Sequence, residues 1–130
     1  MVGRTPPSRE PSVRIVLLPR DTNERGTIFG GIILSHIDLA GAVGVRHLGN
    51  HRFVTVAMKE VVFRKPVYVG DVISFYAMVK KVGTTSVTVH VDVEAQRRDD
   101  ARMVQKVTEA DVVYVAVDDK GRSVPIQKRS

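Results

Sequence analysis

The segment Ile32–Leu48, IILSHIDLAGAVGVRHL, constrains this chain more than any other, because it is an apolar stretch with helical spacing that carries one carboxylate, Asp38. Ile33, Leu34, Ile37, Ala40, Gly41, Gly44 and Val45 recur at three- and four-residue steps, and Ile32, Leu39 and Val43 make much of the remaining surface apolar. This pattern predicts a helix buried nearly all round. Gly41 and Gly44 should each cost such a helix about 1 kcal/mol relative to alanine, so small residues there point to close packing against something broad, such as a surrounding sheet. Aspartate is rarely buried without a partner, and a desolvated carboxylate binds a proton more readily, which suits general-base work. The competing reading turns Asp38 out to water or pairs it with His36 or Arg46.

Two features precede the helix. Asp21-Thr22-Asn23 is a turn sequence, since these side chains bond nearby backbone N–H groups. Gly30-Gly31 permits close approach of a ligand to the backbone, and the free N–H groups of a helix starting there would face a polarised carbonyl or oxyanion.

The rest of the chain reads as strands. Val13–Leu18 is a short apolar run that stops at Pro19. Phe53–Phe63 is rich in β-branched residues, and its mixed alternation predicts a bulge or a change of buried face. Val72–Val82 alternates, a tight connection follows at Gly83-Thr84-Thr85, and Ser86–Arg97 is the cleanest strand, with Val87, Val89, Val91 and Val93 on one face and His90 on the other, toward solvent or a subunit partner. Met103–Val117 is the last strand, apolar on both faces near its end, which predicts an oligomer. Residues 1–12 and 122–130 read as flexible tails flanking one domain over 13–121. The expected architecture is α+β, one antiparallel sheet of consecutive strands wrapped around one long central helix.

Composition narrows the function. A chain of 130 residues suits a single core, and the absence of cysteine removes disulfides, thiolate nucleophiles and cysteine zinc sites. The four histidines have no metal-ligand spacing, and no apolar run is long enough to span a membrane. The net charge of +6 invites nucleic acid, yet the basic residues are scattered as pairs and aromatic residues are few, which favours a small polyphosphate ligand over a duplex. A cytoplasmic protein is expected, with no nucleic-acid or membrane partner.

At this point the chain resembles the hotdog-fold acyl-CoA thioesterases of the YciA and cytosolic acyl-CoA hydrolase type. The resemblance is carried by Asp21–Asn23, Gly26, Ile28–Gly31, Asp38–Ala40, Val54–Val56, Phe63–Asp71 and Gly83–Ser86, in order and spacing. It implies a hotdog fold and hydrolysis of an acyl-CoA thioester at a subunit interface, in a homodimer at minimum and a hexamer built as a trimer of dimers. Asp38 resembles the catalytic carboxylate, general base or nucleophile. Asn23 from the opposite subunit resembles the group that orients water or the carbonyl, and the Gly31 N–H, with Gly30 shaping the turn, resembles the oxyanion donor. Arg64 and Lys65 are implied phosphate partners of coenzyme A, with Gly83, Thr85 and Ser86 as nucleotide contacts. No cofactor is implied beyond the coenzyme A of substrate and product. Ile32 stands where such proteins often carry a bulky aromatic, which leaves the acyl chain length open. Two other functions compete with this one. A non-catalytic acyl-CoA-binding regulator would need an added DNA- or partner-binding segment, and an enoyl-CoA hydratase would want a histidine close after Asp-x-Asn, where this chain has Gly26.

Overall fold

The structure, a computed structural model, describes residues 9–126. Strand β1 (Val13–Val16) leads through a short turn to helix α1 (Gly30–Gly44), and β2 (Arg52–Phe63), β3 (Val72–Val82), β4 (Ser86–Gln96) and β5 (Val104–Val117) follow. All pairings are antiparallel, in the order β1-β3-β4-β5-β2. The expected succession of four strands therefore holds only for β3, β4 and β5. Strand β2 pairs with β5 instead, because its connection to β3 crosses the end of the sheet, where the Arg64 and Lys65 N–H groups both donate to the Val107 carbonyl at 2.8 and 3.2 Å. The same connection meets the loop before the helix, with the Ile28 N–H donating to the Val67 carbonyl at 2.8 Å.

The alternation of β4 divides the sheet into an inner and an outer face. Val87, Val89, Val91, Val93 and Ala95 are fully buried, while Thr88, His90, Asp92 and Glu94 take the outer side. Onto the inner face α1 lays Ile33, Ile37, Ala40 and Gly41. All-round burial is not observed, since Leu39 is 53% and Val43 40% exposed. One copy has a single sheet to bury the helix against, so the opposite stripe stays bare. The helix also starts two residues before Ile32 and ends at Gly44, with Arg46–Leu48 tightening into a separate 3-10 turn.

The glycines in the helix are explained by contact. A Cβ on Gly44 would come within 2.7 Å of the Ala77 Cβ, and one on Gly41 would overlap the Tyr114 hydroxyl. That hydroxyl, on a buried ring, donates to the backbone carbonyl of Asp38 at 2.6 Å. Burial and the neighbouring Asp38 raise the phenol pKa further above its ordinary value, so Tyr114 stays a donor.

The expected irregularity of β2 appears as two register shifts, between Thr55 and Ala57 and between Lys59 and Val62, with Glu60 at a φ of 56°. Parts of the two segments read as loose tails are seated on the sheet. Arg9 stacks over Tyr76 at 3.7 Å and pairs with Glu94, and the Ser12 N–H donates to the Phe75 carbonyl at 2.8 Å. At the other end Ser123 bridges to Val117, and buried Ile126 donates its N–H to the Thr84 carbonyl at 2.8 Å. Their backbone groups find sheet partners, which a composition-based reading does not register. Residues 1–8 and 127–130 of those segments lie outside the described residues. Among the described residues no helix is long and apolar enough to cross a membrane.

The Gly41 contact makes a prediction against helix propensity. Alanine for glycine in a helix interior gains about 1 kcal/mol on propensity alone, yet Gly41→Ala should lower stability by about 1–3 kcal/mol in urea unfolding, because it displaces the Tyr114 hydroxyl. In a Tyr114→Phe background the same substitution should cost less. A Gly41→Ala protein more stable than the native one would contradict this packing.

Candidate active site

Asp38 lies on α1, two helical turns from its start, and is half-buried rather than enclosed. Neither His36 nor Arg46 is its partner. The Thr55 hydroxyl of β2 donates to Asp38 Oδ1 at 2.6 Å. A threonine has one hydroxyl proton to give, so this bond fixes one carboxylate oxygen and leaves the other able to accept from water. Thr55 faces inward opposite Tyr114, so helix and strand are both referenced to the same residue of β5. The Tyr114 bond holds the Asp38 backbone and the Thr55 bond holds its side chain.

A second group of residues lies around the start of the helix. Asn23 performs the turn role expected of its type: Oδ1 accepts from the N–H of Arg25 at 2.8 Å and of Thr27 at 3.3 Å, and Nδ2 donates to Thr27 Oγ1 at 2.9 Å. A carboxamide carries two N–H donors, so one remains for a ligand. The Phe29 N–H donates to the Asp21 carbonyl at 2.8 Å, which ties this loop to the helix start. Gly30 and Gly31 open the helix with no side-chain cap, and their N–H groups precede the first intrahelical bond. A side chain on Gly31 would collide with the Phe29 ring at 2.9 Å.

These two groups do not meet in one copy. Seven residues separate Gly31 from Asp38 on the same helix, about 10 Å along its axis, too far for both to act on one carbonyl. The structure thus keeps two groups apart: Asn23 with the helix start at Gly30 and Gly31, and Asp38 with Thr55.

The implied coenzyme A residues are separated as well. Gly30, Arg64 and Lys65 line one cleft of about 350 Å³ together with Ile33, Phe63 and Thr108. Arg64 is already engaged, its Nε donating to Glu109 Oε2 at 2.8 Å, whereas Lys65 makes no ion pair among the described residues. Gly83, Thr85 and Ser86 sit at the β3–β4 turn, where Ser86 is opposite Val115, while Phe63, next to Arg64, is opposite Thr108. Seven residues along β5 place these groups about 23 Å apart. The turn itself is closed by the Gly83 N–H donating to the Ser86 carbonyl at 2.7 Å, and the Thr85 carbonyl accepts from Ala116 at 2.9 Å.

Sequence reasoning missed three residues that the structure connects to these groups. Thr55 stood within the Val54–Val56 motif without a role. Glu109 grips Arg64, and His90, expected to face solvent or a partner, is half-buried among carboxylates on the outer face. The alternation of β4 and β5 puts these residues on one face, but only the register across strands shows that they touch.

Comparison with known proteins agrees with the fold. Residues 25–101 match the family model described as Thioesterase superfamily. The acyl-CoA thioester hydrolase YciA of Salmonella typhimurium is 38% identical over 122 residues, covering 92% of each chain. A hexameric hotdog fold thioesterase of Campylobacter jejuni is 50% identical, with a TM-score of 0.84 over 91% of this chain and 90% of that one. An acyl-CoA hydrolase of Staphylococcus aureus, solved with butyryl coenzyme A, coenzyme A and coenzyme A disulfide, is 29% identical, with a TM-score of 0.80 over 89% of this chain and 70% of its own. With its curled antiparallel sheet around one helix and its match to both the family model and YciA, the chain belongs to the hotdog thioesterase superfamily.

Proposed function

We propose that the protein hydrolyses the thioester of acyl-CoA to coenzyme A and a carboxylic acid, at sites each completed by two copies of the chain. The observation that carries this reading is the Asp38 carboxylate, held at 2.6 Å by Thr55 in one half-site, while the glycine amides that suit an oxyanion occupy the other. Bringing Gly31 and Asn23 of one copy to Asp38 of another supplies what acyl transfer requires: an activating carboxylate, an orienting amide and an oxyanion donor. Asp38 acts as general base on water or attacks the carbonyl itself. In either case water is the only co-reactant, and the coenzyme A thiolate leaves.

Strand β2 offers the means of assembly. It is an edge strand whose Val54 and Val56 are exposed, and the bare stripe of Leu39 and Val43 lies on the helix. Pairing of β2 with β2 of a second copy continues the sheet, and a homohexamer like that of the Campylobacter relative extends the same assembly. Arg64 and Lys65 at the mouth of the cleft take coenzyme A phosphates, and Gly83, Thr85 and Ser86, some 23 Å away within one copy, contact the nucleotide from a neighbouring subunit. The cysteine-free chain suits the reducing cytoplasm, and no cofactor enters the reaction. The relatives' activities favour neither a regulator nor a hydratase.

Because the chain has no cysteine, a thiol reagent reports released coenzyme A alone. Asp38→Asn should lower kcat by about 10²–10⁴-fold while melting cooperatively at a temperature near that of the native protein. Thr55→Val should lower kcat by about 10–100-fold, the loss expected for one hydrogen bond to a charged group. Native protein that binds acyl-CoA without releasing thiol would contradict the reading.

A further inference from the structure

The outer face of the sheet carries a cluster of charges that the proposed reaction does not use. His90 stands at its centre. Its Nδ1 is 2.7 Å from Asp111 Oδ1, and its Nε2 is 2.9 Å from Asp92 Oδ1 and 3.5 Å from Glu109 Oε1. A neutral imidazole has one N–H and satisfies one of these carboxylates, whereas the imidazolium satisfies carboxylates at both nitrogens. Burial opposes the charge, but the hydrogen bonds to Asp111 and Asp92 outweigh it and hold the His90 pKa above its ordinary value. The β3 residue opposite His90 is uncharged Met78, while Lys80 from that strand reaches Asp111 at 2.8 Å, and Lys106 of β5 lies 2.9 Å from Asp92 and 3.2 Å from Glu109. Arg9 pairs with Glu94 at 3.0 Å and also lies 3.5 Å from Asp92.

This arrangement bears on Arg64. With His90 charged, the four carboxylates of Asp92, Glu94, Glu109 and Asp111 are matched by Arg9, Lys80, Lys106 and His90, so the charge of Arg64 is the surplus of the cluster. Glu109 meanwhile receives both Nε and Nη2 of Arg64, which leaves Nη1 out of that pairing, and Arg64 lines the cleft together with Gly30 and Lys65. Arg64 and Lys106 hold the Glu109 carboxyl below its ordinary pKa, so it stays ionised.

We propose that Glu109 is a positioning residue for substrate binding: it orients the Arg64 guanidinium at the cleft, while His90 and Lys106 balance its charge so that Arg64 still attracts a phosphate. The proposal rests on the acyl-CoA reading above. It also makes binding pH-dependent. As pH rises through the His90 pKa the cluster loses one positive charge, the carboxylates absorb the charge of Arg64, and KM rises.

The test is steady-state thiol release from butyryl coenzyme A by the native protein, Glu109→Gln, Arg64→Gln, the double variant and His90→Gln, with thermal unfolding to verify folding. Glu109→Gln should raise KM about five-fold with kcat unchanged, a loss of uniform binding, and should raise it no further in the Arg64→Gln background. The rise of KM with pH in the native protein should be absent in His90→Gln, whose KM is raised throughout. Glu109→Asp, which shortens the reach without removing the charge, gives the same KM increase where the glutamine variant fails to fold. An unchanged or lowered KM in Glu109→Gln, with Arg64→Gln still raising it, overturns the positioning role and leaves the acyl-CoA reading intact. If Arg64→Gln leaves KM unchanged while native protein releases thiol, the phosphate contact falls and the positioning role with it. Absence of thiol release from the native protein overturns the acyl-CoA reading itself.

Discussion

The hydrogen bond from the Tyr114 hydroxyl to the Asp38 carbonyl is the contact on which the site depends. It is partly buried, it crosses from β5 to α1, and it forms only because Gly41 leaves room for the hydroxyl. A helix packed on apolar contacts alone could slide or rotate by small amounts, since dispersion and burial have little direction. One directional bond at its centre sets its position against β5, and β5 also sets the register of β2 through the Thr55–Tyr114 pair. The 2.6 Å bond from Thr55 to Asp38 follows from that common reference.

The same packing leaves part of one copy uncovered. The helix covers β3 and β4 and leaves β2 as an uncovered edge, with apolar side chains bare on both strand and helix. It also separates the helix start from Asp38 by about 10 Å, so under the proposed roles the carboxylate and the glycine N–H groups of one chain do not serve the same substrate. The proposed association relieves two deficits at once: it joins the unpaired edge and brings Asp38 of one copy to the helix start of another.

Much of this was legible in the residues. The three- and four-residue spacing gave α1, the valine alternation gave β4, and glycines inside an apolar helix gave close packing, which Tyr114 and Ala77 provide. Three things were not legible. The return of β2 to pair with β5 is a long-range choice that local periodicity does not encode. The bare stripe at Leu39 and Val43 read as buried because apolar residues covered by another copy look the same in sequence as those covered by their own sheet. Whether Asp38 is buried or faces water was left open by its sequence for the same reason, and it is half-buried in one copy. The residues around it were split differently. Asn23 and Gly31 could be singled out because turn chemistry and backbone access belong to particular residue types, whereas Thr55 and Glu109 act through contacts that exist only once strands are in register.

The central claim, that each site joins Asp38 of one copy to Asn23 of another, is tested most directly by subunit complementation. Asn23→Ala and Asp38→Asn proteins, each nearly inactive alone, are unfolded together, reassembled in equal amounts and assayed for thiol release. Random pairing at a two-fold interface makes half of the dimers mixed, and each mixed dimer contains one site with both native residues, so about a quarter of native activity should return. Reassembled mixtures no more active than the separate variants, under conditions where native protein regains its rate, would show that both residues must come from the same chain and would contradict the account.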